Sequence, residues 1–87
     1  MNKQQLFKKL LTVTEYILHE QYDEANRIWA KIYPEYSLFQ KPEWYEDDDL
    51  ENLYTIVYKS LVYRDLSHPP VDKKDLEEAV SLARRNL

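Results

Sequence analysis

Apolar residues recur at intervals of three and four through most of the chain. Leu6, Phe7, Leu10, Leu11, Thr14, Ile17 and Leu18 trace one helical face and predict a first helix over about residues 4–20. Lys3, Lys8, Lys9, Glu15 and Glu20 fall mostly off that face. A break follows at 21–23, where Asp23 is suited to cap the next helix. Ala25, Ile28, Trp29, Ile32 and Tyr33 line one side of a second helix. Pro34 disfavours helical geometry at Tyr33, so this helix is expected to end or bend there.

Residues 34–48 hold Pro34 and Pro42 and read as irregular, with a short turn around 36–39. The stripe resumes at Leu50, Leu53, Tyr54, Val57, Tyr58, Leu61 and Val62. It predicts a third helix that starts in an acidic run and reaches about Leu66, where Ser67-His68-Pro69-Pro70 stops it. The fourth helix has the clearest start. Asp72 is placed as N-cap, Asp75 stands at the third helical position, and Val71 and Leu76 occupy the positions of a hydrophobic staple. Leu76, Ala79, Val80 and Ala83 give it a narrow apolar face, and Arg84 and Arg85 suit the negative end of its dipole. Together these elements predict an all-α fold. The expected architecture is a single domain over 1–87, a small antiparallel four-helix bundle with an irregular acidic and aromatic connection between helices two and three.

Composition narrows the function classes. The 87 residues include no glycine and no cysteine. Without glycine, phosphate-cradling loops and dinucleotide fingerprints are disfavoured, and helices must end without their usual C-terminal glycine. Without cysteine there is no thiol nucleophile, disulfide framework or cysteine-based zinc site. The N-terminus carries no long apolar run, so neither a signal peptide nor a membrane span is expected, and the chain suits a reducing cytoplasm.

Charge is the feature with functional content. From Glu43 to Glu51 six of nine residues are acidic, and no cation occurs before Lys59. The segment 43–58 therefore carries −6 against a whole-chain charge of −4, which leaves the rest of the protein at +2. Three readings of the run are open. Anions near a helix N-terminus are stabilising, and one of Asp47, Asp48 and Asp49 is expected to be the N-cap. That accounts for one or two carboxylates and not for six, because like charges repel. The run is alternatively a docking patch for a basic partner, with Trp44 and Tyr45 as aromatic anchors. A calcium loop needs alternating oxygen ligands and a glycine, and Asp47-Asp48-Asp49 has neither. The candidate partner-binding set is Glu43, Trp44, Tyr45, Glu46, Asp47, Asp48, Asp49 and Glu51.

Eight tyrosines are present. Tyr54 and Tyr58 share a face with Val57 and Leu61 and read as packing at the core boundary. Tyr36, Phe39, Trp44 and Tyr45 divide between lid packing and interface. His19 and His68 lack a second histidine or cysteine at ligand spacing and read as solvent-facing. No nucleophile with a base in context is found, so neither an enzyme, a metal site nor a cofactor is expected. The cations are scattered and the net charge is negative, which disfavours direct nucleic-acid binding.

The order of elements resembles a known family. An N-terminal amphipathic helix ends Tyr16-Ile17-Leu18-His19-Glu20, a second starts at Tyr22-Asp23-Glu24-Ala25, and a long central helix follows. The chain closes on Val71-Asp72-Lys73-Lys74-Asp75-Leu76-Glu77-Glu78-Ala79-Val80. This resembles the small helical immunity proteins of nuclease bacteriocins, colicin D-type immunity proteins in particular, over nearly the full length and by pattern. The Ser-Asp and Tyr-Tyr-Pro signatures of the DNase-colicin branch are absent, and immunity bundles of Gram-positive peptide bacteriocins are similar in size. The resemblance implies a cytoplasmic protein that blocks the basic cleft of a toxin with carboxylates. It assigns no individual residue. The alternative from another class is a small helical interaction or regulatory module, phage- or element-encoded, that self-associates or binds another protein.

Overall fold

Asn2 begins the first helix with a reciprocal cap. Its side chain accepts from the Gln5 backbone N–H at 2.8 Å, and the Gln5 side chain accepts from the Asn2 N–H at 3.0 Å. The computed structural model describes residues 2–38, 44, 46–62 and 71–87, with backbone alone at 35–38. Among them are four helices: α1 Lys3–Leu18, α2 Tyr22–Leu38, α3 Asp48–Val62 and α4 Lys73–Arg85. They form the all-helical bundle that the apolar spacing predicts, and no strand occurs among the described residues.

The α1–α2 turn shows how a chain without glycine ends a helix. His19 caps α1, and Glu20 takes φ 59°, the left-handed region. The Gln21 N–H then donates to the Tyr16 carbonyl at 2.8 Å, and the Glu20 N–H to the Ile17 carbonyl at 3.0 Å. This is the pairing that usually carries glycine at the position of Glu20. The turn feeds straight into α2, whose first bond runs from the Ala25 N–H to the Gln21 carbonyl at 3.1 Å. Asp23 is therefore not the N-cap. It lies inside the first turn, where its charge still favours the helix dipole.

Pro34 does not end α2, which continues to Leu38 and takes in the expected turn at 36–38. Proline removes one N–H and frees the carbonyl four residues back. Here that carbonyl belongs to Ala30, and both residues lie on the exposed side, which is open to solvent. Buried Trp29 and Ile32 meanwhile hold the helix to the core. The expected extension of α3 to Leu66, and His68 with its prolines, lie outside the described residues.

The core takes Leu6, Phe7, Leu10, Val13 and Ile17 from α1, and Ala25, Trp29 and Ile32 from α2. Leu50, Leu53 and Val57 of α3 and Leu76, Ala79 and Ala83 of α4 complete the helical contributions. Helix α1 packs against all three others, and α3 against α4. The alanines of α2 and α4 let those backbones approach closely. Among the described residues, buried Thr14 and Ser60 are satisfied within their own helices: Thr14 donates to the Leu10 carbonyl at 2.7 Å, and Ser60 to the Ile56 carbonyl at 2.8 Å. Asp72 caps α4 by accepting from the Asp75 N–H at 2.9 Å, and Leu76 is buried in the core, with Val71 packed against that core. Among the described residues no helix is long and apolar enough to cross a membrane.

Candidate functional site

The acidic run sits where three helix ends meet. The beginnings of α1 and α3 and the end of α4 lie together, as an up-and-down bundle requires, and the ion pairs between them show it. Asp47 Oδ2 lies 2.9 Å from Lys3 Nζ at the start of α1. Asp49 Oδ1 lies 2.9 Å from Arg85 Nη2, and Asp49 Oδ2 accepts from Asn86 Nδ2 at 3.0 Å, both at the end of α4. Asn86 Nδ2 also donates to the Leu82 carbonyl at 2.8 Å, so one side chain closes α4 and ties it to α3.

Asp47 is the cap of α3. Its Oδ1 accepts from the Leu50 N–H at 3.1 Å and its carbonyl from the Glu51 N–H at 3.0 Å. Partial burial pushes its carboxyl upward, but the Lys3 hydrogen bond and charge and the amides of Leu50 and Asp49 outweigh that and hold it below its ordinary value. Asp49 is also held low, chiefly by the Asn86 hydrogen bond and then by Arg85. Both aspartates therefore serve the fold.

Their described neighbours tie no helix end to another. Glu46, Asp48 and Glu51 are exposed, and no ion pair joins them to another described residue. Asp48 and Glu51 belong to the first turn of α3 and gain from its dipole. Glu46 precedes the cap. Glu43 and Tyr45 lie outside the described residues.

Trp44 corrects one expectation. It is 0% exposed and among the largest fully buried side chains, beside Phe7, Leu6 and Leu10 in rank. Burying an indole excludes about 150–250 Å² from water, which makes Trp44 a large contributor to the core. An anchor for a partner has to be reachable, and Trp44 is not.

Half-exposed rings occur elsewhere. Tyr33 of α2 and Tyr54 and Tyr58 of α3 gather around Trp29. The Trp29–Tyr54 centroids lie 5.0 Å apart, Trp29–Tyr58 6.2 Å and Tyr33–Tyr58 6.4 Å. The expected boundary role of Tyr54 and Tyr58 holds, since both pack on the core while only partly covered. Tyr33, expected on the core face, is 43% exposed, as is Val62. A helical wheel of α3 drawn from the buried set would have found this surface. Asp48, Glu51, Thr55, Tyr58 and Val62 lie at spacings of three and four, opposite Leu50, Leu53, Val57 and Ser60.

A shallow groove between α3 and α4 is closed at one end by the Asp49–Arg85 pair and lined by charges of both signs, Lys59 and Glu78 among them. It singles out no ligand class. Among the described residues no group of three or more histidine or acidic side chains is placed to hold a metal ion. No protein-family model, no curated protein and no solved structure matches this chain.

Proposed function

We propose that this protein is a non-enzymatic immunity protein. It neutralises a toxin, a nuclease bacteriocin or a contact-dependent toxin, by laying the acidic start of α3 over the toxin's basic cleft. The observation that supports this reading is the surplus of charge. Asp47 and Asp49 meet the needs of the helix ends, while Glu46, Asp48 and Glu51 stand in solvent with no structural task that requires all three. A carboxylate cluster of this kind accelerates encounter with a cationic surface and imposes a strong salt dependence. The order of helices resembling colicin D-type immunity proteins supports the same reading. The compartment that goes with it is the bacterial cytoplasm, and no cofactor is involved.

The test asks whether the neighbouring gene encodes a toxin and whether co-expression of this protein protects a host from that toxin. Glu46→Lys, Asp48→Lys and Glu51→Lys together are expected to abolish protection and to flatten the salt dependence of binding while helicity is retained. Full protection by the reversed protein would contradict the reading.

A second reading has its own observation. Tyr33 and Val62 are exposed large hydrophobic residues, of the kind an interaction module that self-associates would carry. Sedimentation of the isolated protein separates the two. A stable dimer that covers Asp48 and Glu51 supports the module and removes the docking face.

A further inference from the structure

The outward face of α3 is acidic over its first turn and aromatic further on. Asp48, Glu51, Thr55, Tyr58 and Val62 follow one another at three, four, three and four residues, which makes a straight seam. From Asp48 to Tyr58 it spans about 15 Å at the helical rise of roughly 1.5 Å per residue. Tyr33 widens it from α2, its ring inclined by 26° to that of Tyr58 at 6.4 Å. Packing of α2 on α3 is already served by Trp29 against Tyr54. Tyr33 and Val62 nevertheless remain 43% exposed.

We infer that this seam takes an arginine-bearing segment of a partner protein, with guanidinium groups on the carboxylates of Asp48 and Glu51 and against the exposed ring of Tyr33. The inference rests on the acidic docking reading and names the chemistry of its partner. Arginine is the side chain that satisfies both halves. Its planar fork pairs with a carboxylate through two hydrogen bonds, and the same plane stacks on an aromatic ring. Lysine supplies the charge but gains less from the rings, because its ammonium is compact and strongly hydrated. A nucleic acid could stack bases on Tyr33, but its phosphates would then face Glu46, Asp48 and Glu51. Two or three arginines on one side of a partner helix match the length of the seam.

The experiment titrates the full-length protein at low salt with two synthetic decapeptides, one of arginine and one of lysine, while ring proton signals are followed by NMR. The arginine peptide is expected to bind about tenfold more tightly, the gain that ring contacts supply at a partly desolvated site, and to shift the Tyr33 signals. Tyr33→Leu keeps the apolar bulk and is expected to erase the arginine preference without altering the melt. Asp48→Asn with Glu51→Gln is expected to weaken both peptides alike. Equal binding of the two peptides overturns the inference and leaves the acidic docking reading standing. An arginine preference that survives Tyr33→Leu also overturns it, as does a dimer that dissociates on that substitution. Failure of both peptides to bind overturns the inference and the docking reading together.

Discussion

Asp49 and Arg85, 36 residues apart in the chain, meet at 2.9 Å. An acid from the most charged stretch of the sequence thus fastens the last turn of the last helix to the first turn of α3. The Arg85 side chain is largely exposed, so the pair is screened by water. Asp49→Ala and Arg85→Ala are each expected to lower the melting temperature slightly. The double variant should lose less than the sum of the two, and added salt should shrink the difference. A thermal-melt cycle at low and high salt checks this.

Acid should expose both aspartates. Asp47 and Asp49 have folded values below the ordinary 3.8. The stability they contribute is complete above that value and is lost as pH falls below it through the lowered folded values. Urea midpoints measured between neutrality and the acid limit should fall in that window. Asp47→Asn with Asp49→Asn should show a shallower fall there.

Trp44→Ala is expected to cost about 3–5 kcal/mol, a large part of the roughly 5–15 kcal/mol that holds a domain of this kind together. Circular dichroism should show a protein partly unfolded at room temperature or melting far below wild type. Unchanged melting would mean that the indole is not in the core.

Glu20→Gly should stabilise the protein. A side chain in the left-handed region costs about 1–2 kcal/mol, of which glycine's greater freedom in the unfolded chain takes back about half. A gain near 1 kcal/mol, or about 4–8 °C in a chain of this length, is expected in a thermal scan. Glu20→Val should move the other way.

The helices were legible because their cores follow the spacing rule with few exceptions, and the start of α4 because Asp72, Asp75, Val71 and Leu76 each agree with it. Val13 was missed, since a stripe drawn through Leu11 and Thr14 passes beside it, yet it is wholly buried. Pro34 misled for a physical reason: the rule describes the backbone, whereas burial of Trp29 and Ile32 decides whether a helix tolerates the lost bond. The acidic run was legible as a charge but not as a division of labour. The cap bond from the Leu50 N–H to Asp47 is local, but three adjacent aspartates are alike candidates for it, and the partners Lys3, Arg85 and Asn86 are brought in by the fold. The acidic neighbours of Trp44 suggest a surface, whereas its burial in the core is a tertiary fact.

The division within the run is tested most directly by comparing thermal melts of two variants at neutral pH. One carries Asp47→Ala and Asp49→Ala, the other Glu46→Gln, Asp48→Asn and Glu51→Gln. The first is expected to melt lower by at least the several degrees that loss of the cap at Asp47 costs, about 0.5–2 kcal/mol at about 4–8 °C per kcal/mol. The second is expected to stay within about 0.5 kcal/mol of wild type, since weaker dipole interactions are offset by relief of repulsion. A second variant that melts as low as the first, or a first that melts like wild type, would contradict the account.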